Sequence, residues 1–266
     1  MELFILLVFV FGGSFLNVLI SRYPKMIEGQ WQEALKEEGY IKEVDPKYQV
    51  DLNYPPSNCY HCGERIPWYR LIPLVGYLLN FGRSSCCGQP IPVRYILVEM
   101  VSILSSFAVY FLYGFTVETV ILLASLFVLL SLFYIDYEEM YLPDSLVVSF
   151  GLMGLVYVDL TGSAEIVSET IFYCALFYFG SSLLVSLYEK CRGVGEMLGR
   201  GDIKLLTAMF VYMSFEEFGW VLLSASLVHI AINYSQPKEV KPFGPWIILS
   251  FVGCMAYKHM DSLVIF

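Results

Sequence analysis

The chain has 266 residues, 57% of them hydrophobic and only 15% charged, with a mean hydropathy of +0.63. That balance is too apolar for a soluble domain and describes an all-α polytopic membrane protein embedded in a lipid bilayer. The formal charge of −9 is distributed without any basic helix or aromatic-interleaved basic stripe, which argues against nucleic acid as a partner.

Apolar runs of roughly 17–25 residues are expected to cross a bilayer as helices. They fall at 3–20, 95–113, 118–136, 144–160, 167–188, 202–215, 218–234 and 243–258, which gives about eight transmembrane helices. The sixth run is short, and Gly253 interrupts the last. The first run follows the acidic start Met1-Glu2, is itself followed by Arg22 and Lys25, and closes on no small-x-small cleavage pattern. It reads as a retained span rather than a signal peptide.

Charge sets the expected orientation. With the N-terminus outside, the inward segments are 21–94, 136–144, 189–202 and 235–242, and they hold 14 of the 16 Lys and Arg residues. Lys204 adjoins the same side, and only Lys258 lies opposite. Basic residues that stay cytoplasmic produce this asymmetry. The outward ends carry Glu118, Asp159, Glu165, Glu169, Glu216 and Glu217. One inward turn departs from the pattern: no Lys or Arg occurs between Arg94 and Lys190, so the 136–144 turn is purely acidic and suits a cationic guest.

Residues 21–94 form the one sizeable extramembrane region, a cytoplasmic loop domain after the first span. Its stretch Gln30 to Asp51 alternates Glu, Asp and Lys and reads as a short solvated helix followed by a loop. Beyond it, Cys59-Tyr60-His61-Cys62 is answered by the adjacent pair Cys86-Cys87. A C-x-x-C turn can grip zinc, and a second pair can complete a four-cysteine site. Adjacent cysteines are poor geometry for two ligands on one ion, so His61 is an alternative ligand and a metal-free set of reduced thiols is the other reading. Cys174, Cys191 and Cys254 are read as small packing residues.

The acids at the membrane edges carry the chemistry. Asp144 follows Pro143 at the start of an apolar run, where a helix N-terminus accounts for both residues. Asp136 ends a run, where the helix terminus disfavours a negative charge, so local structure does not explain it. Asp202 is either a plain N-cap or, after Gly199-Arg200-Gly201, a carboxylate that a permissive backbone carries toward a partner. Two carboxylates a few ångströms apart share a proton, and one can activate water while the other donates to a scissile carbonyl. No serine, cysteine or histidine constellation competes with that pair: His229 and His259 are isolated bystanders. In the first span, Gly12, Gly13, Ser14 and Asn17 are expected to serve close helix packing. Glu99 is a further intramembrane acid that either pairs with a basic residue or joins the site.

The chain resembles the type IV prepilin peptidases. The resemblance runs from Gly12-Gly13-Ser14-Phe15-Leu16-Asn17 through Ile66-Pro67-Trp68-Tyr69, Gly88-Gln89-Pro90-Ile91, Arg94-Tyr95 and Ile135-Asp136. It continues with Leu142-Pro143-Asp144, Gly199-Arg200-Gly201-Asp202-Ile203-Lys204 and Pro242-Phe243-Gly244-Pro245. It implies an inner-membrane aspartic endopeptidase that removes the basic leader of type IV prepilins or pseudopilins at the cytoplasmic face, after a glycine. It also implies methylation of the new N-terminal residue with S-adenosylmethionine. Asp136 and Asp202 match the catalytic aspartates, with Gly199, Gly201, Asp144 and Lys204 in support. It divides the chain into a first helix (1–20), a cytoplasmic part (21–94) and a peptidase core (95–266). One departure concerns the metal: aligning Cys87-Gly88-Gln89-Pro90 places Ser84 where the family has its third cysteine. No Rossmann glycine loop is present, so the methyl donor rests on resemblance alone. Two other classes remain open: a proton- or cation-coupled transporter using Asp136, Asp202 and Glu99, for which no internal repeat is visible, and a non-catalytic scaffold of pilus or secretion machinery.

Overall fold

A computed structural model describes residues 2–59, 61–193, 198–234 and 241–264. Residues 194–197 and 235–240, the latter with Lys238, lie outside the described residues, as does the side chain of His259. The described chain is helical, its only extended pairings being two isolated bridges, Asn58 with Arg65 and Arg83 with Pro90. Helices α3 (Val93–Tyr113), α4 (Val117–Glu139), α5 (Asp144–Thr161), α6 (Ala164–Arg192) and α8 (Phe215–Asn233) are long and apolar enough to cross a membrane. The first and last apolar runs lie in α1 (Glu2–Glu37) and α9 (Gly244–Val264). The chain divides into two compact units, Met1–Thr119 and Val120–Phe266.

In the first unit α1 is one helix of 36 residues, with Pro24 inside it. The expected solvated helix after Gln30 is therefore the continuation of the first apolar run rather than a separate element. A 3-10 turn at Pro46–Tyr48 folds back on it, and a side chain at Gly29 would strike the Tyr48 carbonyl. Against α3, α1 packs through small residues. A side chain at Gly13 would run into Ser102 Oγ, and Asn17 Nδ2 donates to the Tyr95 carbonyl at 3.0 Å. Close backbone approach and an interhelical hydrogen bond are the two devices that hold helices together where lipid supplies no hydrophobic drive.

In the second unit α7 (Arg200–Phe210) is only eleven residues, about 16 Å long. That is short of the ~30 Å hydrocarbon core. Ile203, Leu205, Leu206, Ala208 and Met209 are all buried, so α7 is a central strut packed against α5, α6 and α9. Phe150 stacks on Tyr212 at 4.8 Å, and the Tyr212 hydroxyl donates to the Phe150 carbonyl while facing Ser125 Oγ at 2.8 Å. The helix ends are closed by chemistry visible in the chain. Ser163 caps α6, Gly193 ends it in the left-handed conformation, and Ser214 with Glu217 forms a capping box on α8. Lys258 pairs with Glu217 at 2.9 Å. Gly253 does not break α9, which runs through it.

Gly13→Val should lower the unfolding temperature of the detergent-solubilised protein or prevent its accumulation. Gly180→Ala, in α6 with nothing within 4 Å of the added atom, should leave the temperature unchanged or raise it. A fall in Gly180→Ala equal to that in Gly13→Val would remove close packing as the explanation.

Candidate active site and cysteine cluster

Asp136 and Asp202 line one cavity of about 410 Å³, together with Met140, Tyr141, Leu142, Asp144, Gly199, Gly201 and Lys204. Each aspartate is placed by a different device. Asp136 occupies the last turn of α4, and its carbonyl accepts from the Met140 amide at 2.9 Å. Met140 ends the helix with φ +52, the left-handed region where glycine is usual, and this bend turns the chain toward Leu142 and α5. Asp136 is only 5% exposed; the Gly244 amide hydrogen-bonds to its carboxylate, and its Oδ2 has no partner among the described residues. A buried polar atom left in this state is costly and tends to mark a functional position.

Asp202 is not the N-cap of α7. That position belongs to Gly199, and Asp202 is the third helical residue, its amide bonded to the Gly199 carbonyl at 3.0 Å. The glycines also act differently from the expectation of unusual backbone angles, for Gly199 has φ −57. They are required by contact. A Cβ at Gly199 would press on Asp202 Oδ2 at 3.0 Å, and one at Gly201 would meet Leu142 Cβ at 3.2 Å. Gly244 follows the same logic on the other carboxylate, with an added Cβ 2.5 Å from Asp136 Oδ2. Both acids are therefore walled by bare backbone, which leaves room for a peptide.

Asp144 begins α5, but Pro143 precedes it as the cap rather than standing at the first helical position. Its carboxylate is held by Lys204 Nζ at 2.7 and 2.6 Å, so the otherwise acidic turn has one charge neutralised from α7. Glu138 and Glu139 remain on the exposed side of the turn. Glu99 does not belong to this cavity: in the first unit it accepts from the Leu74 amide at 2.8 Å and meets Asn17. Met140 and Gly244 are the residues that sequence reasoning left without a role. Gly244 lay within a quoted motif, whereas nothing in the chain pointed to a left-handed methionine.

The cysteines converge despite their spacing. The sulfurs of Cys59, Cys62, Cys86 and Cys87 lie within 4.8 Å of one another, with Cys59 to Cys87 at 3.7 Å and Cys62 to Cys86 at 3.1 Å. Two turns of the same construction produce this. The Cys59 amide donates to the Glu64 carbonyl and Gly63 to Cys59; Ser84 donates to Gln89 and Gly88 to Ser84, with both glycines at φ +71. By that superposition Ser84 stands where Cys59 does and Cys87 where Cys62 does. Ser84 Oγ touches Cys59 Sγ at 3.1 Å and Cys86 Sγ at 3.0 Å, and Cys86 brings the fourth sulfur from two residues beyond the Ser84 position. Adjacency is therefore no obstacle, because the two cysteines sit on a bend. His61 is outside the four, its Nε2 3.3 Å from the Pro90 carbonyl. The Ser84 hydroxyl and turn amides hold the Cys59 thiol down to about 5, and the facing Cys86 holds Cys62 up to about 12. Among the remaining cysteines, Cys191 is exposed at the end of α6 rather than packed.

Replacing Asp136 by Asn removes an acid with an unpartnered oxygen while keeping an acceptor for the Gly244 amide. The variant should unfold about 2–4 °C above the parent in the same detergent. An unfolding temperature below the parent's would show that the carboxylate stabilises the fold instead of straining it.

Two family models match the chain: the Bacterial Peptidase A24 N-terminal domain over residues 7–113 and the Type IV leader peptidase family over residues 121–233. Relatives named prepilin leader peptidase/N-methyltransferase align along most of its length. The protein of Pectobacterium carotovorum subsp. carotovorum is 32% identical over 90% of this chain and 87% of its own. That of Pseudomonas putida is 32% identical over 98% and 92%, and that of Aeromonas hydrophila 35% over 98% and 92%. No solved structure matches. With both halves matched in order and the cavity acids inside the second, the chain belongs to the type IV prepilin leader peptidase family.

Proposed function

We propose that the protein is a membrane aspartic endopeptidase that removes the basic leader of type IV prepilins or pseudopilins and then methylates the new N-terminus. The observation that carries the peptidase reading is the one cavity that Asp136 and Asp202 share, lined by Gly199 and Gly201, with Gly244 packed against the Asp136 carboxylate. With one proton between them, the ionised aspartate takes a proton from water as its oxygen attacks the scissile carbonyl. The protonated partner donates to the carbonyl oxygen. Collapse of the tetrahedral intermediate then breaks the C–N bond, the amine leaving with a proton from the dyad. Glu138, Glu139 and Asp144 supply the negative field that attracts a Lys- and Arg-rich leader, with Lys204 fixing Asp144.

In this reading the chain crosses the bacterial inner membrane with its N-terminus outside and about eight helices, α7 being the short one. The dyad and residues 21–94 then face the cytoplasm, as the distribution of Lys and Arg supports. Cys59, Cys62, Cys86 and Cys87 hold zinc: a tetrahedral ion with ~2.3 Å bonds needs sulfurs roughly 3.8 Å apart, close to the spacing of the cluster. Zinc here links the two cysteine turns. S-adenosylmethionine as methyl donor is supported by the names of the relatives. It has no assigned residues.

Incubated with a prepilin, Asp136→Asn and Asp202→Asn should each lose at least about 100-fold in cleavage rate. Cleavage retained by both would remove the dyad. Gly244→Ala should lower the rate while leaving the zinc content of the purified protein unchanged. Elemental analysis should find one zinc per chain, lost in Cys87→Ser; a parent protein with no metal would leave the cluster as reduced thiols.

A further inference from the structure

Between Glu64 and Glu99 the chain contains no acidic residue and four arginines, at 65, 70, 83 and 94. Within it lies a segment whose large apolar side chains face outward: Trp68 is 78% exposed, Leu78 62%, Leu79 65% and Phe81 92%. Water is a poor explanation for such a patch.

Two tethers fix where this segment lies. Ser14 Oγ donates to the Leu71 carbonyl at 2.8 Å, and the Leu74 amide donates to Glu99 Oε2 at 2.8 Å. Ser14 is six residues from the inward end of the first apolar run, and Glu99 is four residues into the second. At 1.5 Å per residue the tethers lie about 9 Å and about 6 Å inside their runs, both in the same outer part of the span. Backbone that enters a bilayer outside a helix must be satisfied by protein, and much of this segment's backbone is bonded internally. Arg70 bonds Pro67, Leu71 bonds Trp68, Gly76 bonds Ile72, Leu78 bonds Leu74, Phe81 bonds Leu78 and Gly82 bonds Tyr77. Asn80 Nδ2 closes on the Gly76 carbonyl at 2.8 Å. Gly76 lies against the Arg70 carbonyl, where no side chain fits. Leu74 is held at φ +62 between the tethers.

We propose that residues 66–82 form a re-entrant loop seated in the headgroup and upper acyl region of an anionic phospholipid bilayer. Trp68, Leu78, Leu79 and Phe81 contact lipid, and Arg70 and Arg83 reach its phosphates. The inference rests on the reading of α1 and α3 as membrane spans. The loop anchors the cysteine turns that flank it, at 59–64 and 84–89, to the membrane surface.

The test uses the full chain reconstituted in phosphatidylglycerol/phosphatidylcholine vesicles doped with lipids bearing doxyl groups at acyl carbon 5 or 12. Subtracting Trp68→Phe from the parent isolates the Trp68 emission, and Trp220→Phe does the same for Trp220 on the candidate span α8. Trp68 should be quenched at least twofold more by the 5-doxyl than by the 12-doxyl lipid and be shielded from acrylamide. Acrylamide quenching like that of free indole, with no effect of doxyl lipid, would place the loop in water and overturn the proposal. Shielding from acrylamide that develops only on addition of a prepilin would assign the face to substrate and also overturn it. Trp220 separates the two levels of inference: if it too escapes doxyl quenching, the membrane reading fails as a whole. Should Trp68→Phe fold poorly, Phe81→Trp measured against the parent reports the same depth.

Discussion

The site depends on the burial of α7. A short helix with apolar residues around most of its circumference has no stable place except inside other helices, and Ile203, Leu205, Leu206 and Met209 fix it there. Once α7 is locked, Asp202 at its third position is locked with it, facing the cavity that Asp136 reaches from the last turn of α4. The apolar core bears the cost of holding these acids, because neither makes an ion pair among the described residues. Lys204, two residues further along α7, is instead spent on Asp144.

The pairing also explains why glycines crowd the site. A cavity that takes an extended peptide, as proposed, needs backbone close to each carboxylate and nothing projecting between. Gly199 and Gly244 supply this from two separate helix starts, while Gly201 lets α7 approach Leu142. Their negative or ordinary backbone angles show that room, rather than conformational freedom, is the constraint. The same economy appears in the first unit, where Gly13 lets α1 meet α3 and Gly76 lets a loop close on itself.

Much of this was legible in the chain because membrane insertion leaves few ways to use a charge. Apart from the far ends of α1 and α9, apolar run lengths placed the helices to within about five residues, and the anomaly of Asp136 at a helix end singled it out. Asp202 was ambiguous because a carboxylate after glycine looks the same whether it caps the helix or sits at its third position. Only the three-dimensional turn distinguishes them. The four cysteines were named together, but their convergence was doubted for a related reason: linear adjacency says nothing about the bend that aims Cys86 and Cys87 at one point. The continuity of α1 past Pro24 was hidden because polarity changes along it while the backbone does not. Met140 left no trace, since a left-handed methionine is imposed by its surroundings and not by its own preference.

The central claim is that Asp136 and Asp202 act as one acid–base unit sharing a proton. The most direct measurement is the pH dependence of kcat/KM for prepilin cleavage by the intact protein, with its folded state verified at each pH. A shared-proton pair predicts a bell-shaped profile, falling in acid as both carboxylates become protonated and falling in alkali as the shared proton is lost. A rate that rises steadily toward alkaline pH, or one indifferent to pH across the range where the protein is folded, would contradict the account.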